Sequence, residues 1–367
     1  MDEIRFSVIL PAYNVEAFIG QALECLLKQT YPAYEVIVVE DGSTDHTAPK
    51  AQAYAAAFTG QDISFQVICH SINRGVSAAR NTGMDRAGGE YVLFLDPDDF
   101  YEITMLERIA AGIRQYEHPQ ILLFGYREDY YGTDGRLSSS VVKSRPTFSW
   151  KKSAGSAGDY AAELAEQEAA TMLGYPWNKA YRLDFLRQEK ITFPQVTHIE
   201  DILFNLQAVG CAGSFAVISE ILYHYRNQGQ VRLTGKYLPN YMNLQKQRIR
   251  AFLEMESNLL DCRVEKLPRR TLEVAANFYF RSFQSMAARQ IAHGMTKEDV
   301  LAELETEGAS PLYHLLQPYL APGGKMAQIL YQPLAKQQWH RVYGCSRMVG
   351  AVQKYLPGLF ARAKQSR

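Results

Sequence analysis

Three polar clusters follow three short apolar runs. Pro11 to Asn14 follows Phe6 to Leu10, Glu40 to Ser43 follows Glu35 to Val39, and Asp96 to Asp99 follows Tyr91 to Leu95. Carboxylates gathered this closely repel one another and are costly unless something neutralises them. A hard divalent cation does so, and Mg2+ or Mn2+ prefers one or two carboxylates completed by phosphate oxygens. Asp96 and Asp98, two apart, can each turn an oxygen toward a shared cation, which leaves Asp41 to hydrogen-bond a base or ribose. The chemistry implied is the handling of a nucleoside diphosphate held mainly through metal. The plainer alternative is that Gly42 with Ser43 and Pro97 with Asp98 are ordinary turn formers. No GxxxxGK[ST] or GxGxxG phosphate loop and no GxSxG nucleophile elbow is present, so the common nucleotide loops and serine hydrolysis find no support.

For these clusters to meet, the elements between them must be crossovers. Helical spacing over Val15 to Gln29, an alanine-rich helix over Thr47 to Phe58, a strand over Phe65 to Cys69 and a helix over Val76 to Ala87 supply them. Strands alternating with helices predict βαβ units and an α/β fold with a mostly parallel sheet. The carboxyl ends of parallel strands share one edge, where ligands bind. A helix near Met105 to Tyr116 and a strand near Ile121 to Tyr126 continue the pattern. Gly132 to Ser156 reads as a hairpin or mobile loop, Gly158 to Phe215 returns to α/β character, and Tyr237 to Leu304 is helical. The expected organisation is a catalytic domain over 1–230, a helical region over 231–307 and a basic amphipathic tail over 308–367.

Of 367 residues, 39 are Lys or Arg and 39 Asp or Glu, so a nucleic-acid coat is excluded on charge. That balance conceals an asymmetry: Gly308 to Arg367 holds eight basic residues and no acid. Five dispersed cysteines without a CxxC pair predict reduced thiols in a cytoplasmic protein. The N-terminus lacks the basic region of a secretory signal. The uncharged stretch Ile202 to Ser219 contains Asn205, Gln207 and two glycines, and predicts a buried helix followed by a strand, not a membrane span.

The strings VILPAYN, VIVVEDGSTD, NRGVSAARNTG and YVLFLDPDD, in that order and spacing, resemble the inverting family 2 glycosyltransferases of the A-type fold. Looser similarity runs through PWNKAYR (Pro176 to Arg182), Phe193 and HIEDILF (His198 to Phe204), as in the enzymes that build bacterial capsule, exopolysaccharide and lipopolysaccharide. The resemblance implies that Pro11, Tyr13 and Asp41 line the nucleoside pocket, with Asp41 on the uracil edge. Glu40 stands where the family usually has Asp. Arg74 or Arg80 would assist at the nucleotide. Asp98 would be the direct metal ligand, with Asp96 toward ribose and metal-bound water, and Asp99 close to the donor sugar. Asp201 would be the catalytic base, with His198 the competing candidate and Glu200 beside it toward the acceptor. The implied cofactor is Mn2+ or Mg2+, and the implied partners are a nucleotide-sugar donor, UDP-linked, and a saccharide or lipid-linked acceptor. A nucleotidyltransferase or a non-catalytic sugar-nucleotide-binding module are the competing readings.

Three further features carry two readings each. Trp177 could stack on a sugar ring or sit in the core. Lys179 could contact phosphate or pair with Asp184, and Tyr223 to Arg226 could face the acceptor or pack along a strand. The tail has apolar residues at Cys345, Met348, Val349, Val352, Tyr355, Leu356 and Leu359, with Arg341, Arg347, Lys354, Arg362, Lys364 and Arg367 around them. That pattern suits a peripheral contact with anionic lipid, or a helix that docks on the acidic catalytic domain or a partner.

Overall fold

Continuous apolar runs make strands that must be covered on both faces. β1 (Phe6–Ala12) and β2 (Tyr34–Glu40) are buried at every position. α1 (Ile19–Leu27) links them, and α2 (Thr47–Gln52) with α3 (Ala55–Thr59) leads to β3 (Ser64–Cys69). The single helix expected over Thr47 to Phe58 is thus two short ones. α4 (Val76–Arg86) crosses to β4 (Tyr91–Phe94), followed by β5 (Phe100–Tyr101), α5 (Met105–Gln115) and β6 (Ile121–Tyr131). Then come β7 (Leu137–Lys143), β8 (Phe148–Lys151), α6 (Ala157–Ala169), β9 (Lys179–Arg182), α7 (Leu183–Gln188), α8 (Glu200–Cys211) and β10 (Ser214–Asn227).

The computed structural model describes residues 3–132, 135–196, 198–227, 237–321 and 325–355. The sheet order is β3-β2-β1-β4-β9-β6-β10-β5, with β7 added to β6 and β8 to β10. β3, β2, β1 and β4 are mutually parallel, as are β6 and β10, while β9 enters antiparallel between β4 and β6. Parallel register sets Ala12 beside Glu40 and Ile9 beside Phe94, so the chain leaves β1, β2 and β4 along one edge. Of the two readings for Gly132 to Ser156, a β6–β7 hairpin is found, after which β8 pairs with β10. α4 lies flush on β1 because residue 83 is glycine: a Cβ there would fall 2.4 Å from Cγ2 of Ile9.

The chain divides into two compact units, Met1–Tyr160 with Glu166–Gln230, and Ala161–Ala165 with Val231–Arg367. The second contains α9 (Tyr241–Leu259), α10 (Arg269–His293), α11 (Lys297–Gly308), α12 (Pro311–Leu316), α13 (Lys325–Ala335) and α14 (Trp339–Tyr355). Phe280, Phe283, Tyr313 and Trp339 form its aromatic centre. Within it, Glu256 is fully buried and accepts from the Thr271 hydroxyl at 3.2 Å, and burial pushes its carboxyl up to about 8. The segment from Gly308 is not set apart, since α14 packs on α10 and α11. Tail positions Leu356, Leu359, Arg362, Lys364 and Arg367 lie outside the described residues. Ile202 to Ser219 is α8 passing into β10, and among the described residues no helix is long and apolar enough to cross a membrane.

Candidate active site

The strand ends first hold the chain together. Behind β1, the Asn14 side chain accepts from the Thr44 amide at 2.9 Å, and the Asn14 amide donates to Ser43 Oγ at 3.0 Å. Asp45 accepts from the amides of Glu16 and Thr47 and from the Thr47 hydroxyl. Partial burial would raise its carboxyl, but these hydrogen bonds hold it below the usual carboxylate range. Glu40, 5% exposed, accepts from the Ser43 amide. Gly42 has φ +69°, and a Cβ there would meet the Ile72 carbonyl carbon at 2.5 Å, so only glycine fits this turn.

Asp41 is 2% exposed, and its carboxylate is engaged within the protein. It accepts from the amides of Arg74 (3.0 Å) and Gly75 (2.7 Å) and lies 2.6 Å from His70 Nδ1. Its direct task is therefore to shape the loop entering α4. Open at this end are Tyr13 (46% exposed), Ile72 (68%) and Arg74, among exposed polar residues such as Asn14, Thr44 and Asn73, whereas Pro11 is buried.

Behind β4 the arrangement differs. Arg80, on α4 and 3% exposed, donates through Nη2 to Asp96 (3.1 Å) and through Nη1 to Asp201. Its guanidinium carbon lies 5.1 Å above the Phe193 ring, which Asn81 fixes by hydrogen bonds to both its amide and its carbonyl. Burial works against the charge on Arg80, but Asp201 and Asp96 outweigh it and bind its proton more tightly than in an ordinary arginine. Asp201 stands in the first turn of α8 and keeps 28% of its side chain open. Desolvation pushes its carboxyl up to about 6 against the pull of Arg80, with Glu200 and Asp96 adding to the rise. Glu200 is half-buried, and among the described residues its Oε2 has no hydrogen-bond partner.

Asp98 is half-buried on the same turn as Asp96. Asp99 is 2% exposed and bound to β10, accepting from the Tyr223 hydroxyl at 2.7 Å and the Arg226 amide at 2.8 Å. Burial, and then the charges of Asp98 and Asp96, raise its carboxyl well above the usual range. The Tyr223 hydroxyl also accepts from the Asp96 amide at 3.3 Å, so β10 holds the acidic turn at two points. Asp99 is accordingly an anchor of that turn, not a group turned to solvent.

α4 joins the two sides. His70, bound to Asp41, also reaches Thr82 on α4 at 3.0 Å, and Arg80 on the same helix grips Asp96 and Asp201. Between Arg74 and Arg80, only the Arg80 side chain reaches the acids. Among the described residues no hydrogen bond joins His198, which has φ +75°, to the Arg80 group. Trp177 is 2% exposed and stacks with Tyr175 and Tyr223 at 4.6 and 4.3 Å, so it is a core residue and presents no open face to a sugar. Lys179 is fully buried, and burial lowers its amine well below the ordinary lysine range. It does not pair with Asp184 but donates to the carbonyls of Met172, Leu173 and Tyr175 and to the Asn178 side chain. Tyr223 and His224 are packed, as alternation along a strand predicts. The supporting roles of His70, Asn81 and Tyr223 were not singled out by sequence, although His70 does follow β3 directly and so marks a fourth strand end.

Residues 7–186 match the family model described as glycosyl transferase family 2. The chain is 30% identical over 231 residues to the putative glycosyltransferase EpsH of Bacillus subtilis, covering 62% of each chain. It is 30% identical over 227 residues to the poly(ribitol-phosphate) beta-N-acetylglucosaminyltransferase TarS of Staphylococcus aureus, covering 60% of this chain and 35% of TarS. The match thus spans less than two thirds of either relative. The crystal structure of S. aureus TarS 1-349 in complex with UDP-GlcNAc shares the fold, with a TM-score of 0.64 at 22% identity over 96% of this chain and 92% of that one.

Proposed function

From the match of residues 7–186 to glycosyl transferase family 2, we propose that the chain transfers a sugar, with inversion, from a UDP-linked donor to a saccharide or lipid-linked acceptor of a cell-surface polysaccharide. One observation carries this reading: Arg80 unites Asp96, at the donor side of the carboxyl edge, with Asp201, an open carboxyl raised to about 6. A base needs access and a pKa near working pH, and Asp201 has both. Asp201 takes the acceptor hydroxyl proton as that oxygen attacks the anomeric carbon. The bond from that carbon to the diphosphate oxygen breaks on the opposite face, and the nucleoside diphosphate leaves. A carboxylate is a weak base for an alcohol, so the proton moves late in the step. Arg80 keeps Asp201 oriented, and half-buried Glu200 stands beside it at the start of α8.

The residues present fit a hard divalent cation. Asp96 and Asp98 offer two half-buried carboxylates from one turn. Such a partial site suits Mn2+ or Mg2+ completed by diphosphate oxygens and water. When bound, the ion neutralises charge developing on the leaving diphosphate. The nucleoside would sit at Tyr13 and Arg74, over the loop that Asp41 and Glu40 shape. All five cysteines are unpaired, which supports a cytoplasmic setting.

The test is a screen of nucleotide sugars for acceptor-dependent release of free nucleoside diphosphate, with and without Mn2+ or Mg2+. Release from a UDP-sugar, dependent on metal, is expected. Pyrophosphate formed from a nucleoside triphosphate and a sugar phosphate would instead make the chain a nucleotidyltransferase. UDP binding without turnover across the screen would make it a binding module.

A further inference from the structure

α13 and α14 are firmly seated on one side and open on the other. Leu330, Leu334 and Val342 are buried, and the carbonyls of Leu330 and Leu334 accept from Gln284 Nε2 at 2.7 Å and from the Tyr313 hydroxyl at 2.5 Å. The two helices also line a cleft of about 500 Å3, with Ile329, Pro333, Lys336, Arg341, Cys345 and Met348 among its walls. Ile329 is 59% and Met348 50% exposed, the two large apolar side chains so exposed among the described residues of this unit. Lys336, Arg341 and Arg347 are exposed too, and Arg341 donates to Gln338, not to a carboxylate. The whole segment from Gly308 to Arg367 contains eight basic residues and no acid.

We propose that this α13–α14 face docks on a bilayer carrying anionic lipid, with Ile329 and Met348 entering the boundary between headgroups and acyl chains and Lys336 and Arg341 meeting headgroup phosphates. Charge and apolarity together select this occupant. A soluble polyanion would match Lys336 and Arg341 but leave Ile329 and Met348 in water. A second copy would bring an equally basic face, and residues 356–367 carry Arg362, Lys364 and Arg367 without an acid, so both would be repelled. An interfacial surface needs the two features side by side. The inference is independent of the sugar-transfer chemistry.

The test is co-sedimentation of the full chain with vesicles of phosphatidylglycerol and phosphatidylcholine, against vesicles of phosphatidylcholine alone. Binding is expected only with phosphatidylglycerol and should weaken as salt is raised. Each basic residue near an anionic surface contributes about fivefold, so the double variant K336Q/R341Q should bind about 25-fold more weakly at low salt. I329S/M348S should lose at least about tenfold at every salt concentration. Circular dichroism and nucleotide release with a soluble acceptor should be unchanged in both variants, which separates failed docking from failed folding or failed chemistry. Equal binding to both vesicle types would overturn the proposal, as would phosphatidylglycerol binding that neither variant weakens. So would retention of polyphosphate without vesicle binding, or a dimer in light scattering that I329S/M348S abolishes.

Discussion

The turn behind β2 and the turn behind β4 are both rich in acids, yet they use them differently. At β2, Asp41 is closed over by two amides and His70, and Glu40 by the Ser43 amide. At β4, Asp96 retains an open edge and shares the two-pronged Arg80 with Asp201. Asp99 belongs with the first kind although it stands in the second turn, being held by Tyr223 and Arg226. An acid held by backbone amides shapes a loop, because its partners cannot leave without unfolding it. An acid held by an arginine side chain can exchange partners when substrate arrives. Residue type at a strand end therefore says little about the task until its partners are known.

Asp201→Asn breaks the comparison most directly if it fails. Transfer should fall by about a thousandfold, and because buried Arg80 then keeps Asp96 alone as its charged partner the melting temperature should fall too, as nucleotide release and calorimetry would read. The same variant tests a pH dependence. Asp201 acts only as carboxylate, so kcat/KM should rise with pH through about 6 and level off above, and the limb should vanish in Asp201→Asn. Unchanged transfer would remove Asp201 from the chemistry.

Next comes Asp98→Ala, expected to lower transfer by about a hundredfold and to abolish the effect of Mn2+ on UDP binding in titration calorimetry. Asp41→Asn should act through shape: the amides of Arg74 and Gly75 lose an acceptor, and KM for the donor should rise by about tenfold with kcat nearly kept. Asp99→Asn should reduce transfer by less than about threefold yet lower stability by about 1–2 kcal/mol. If Asp99→Asn instead matched Asp201→Asn in rate, the division into shaping and reacting acids would be wrong.

The smallest effect extends the comparison to the helical unit. The Glu256 carboxyl is raised in the folded chain above its unfolded value, so folding favours its protonated form. Stability should be greatest near pH 4–5 from this group and decline as pH rises toward about 8. Glu256→Gln should remove that decline and be the more stable chain at pH 9 in urea melts.

Much of the edge was legible because period-two and period-3.6 patterns locate strands and crossovers, and parallel topology then gathers their ends. β1, β2 and β4 follow from their apolar runs alone. The antiparallel β9 did not, since PWNKAYR carries no turn signal that announces its direction. The choice between Arg74 and Arg80 was not legible either, because only the position of α4 on β1 decides which guanidinium reaches Asp96. Trp177 and Lys179 were ambiguous for a related reason. Aromatic and amine groups suit a ligand or a packed interior equally, and burial by Tyr175, Tyr223 and the 172–175 carbonyls is a property of the folded chain.

The absence of a side chain at Gly83 has a reach beyond its own contact. One methyl group there would act as a wedge against Ile9 and tilt α4 off the sheet. Thr82 and Arg80 ride on that helix, so both acid groups would lose their common brace at once. The reaction thus leans on an atom that is missing, at a buried position between helix and strand.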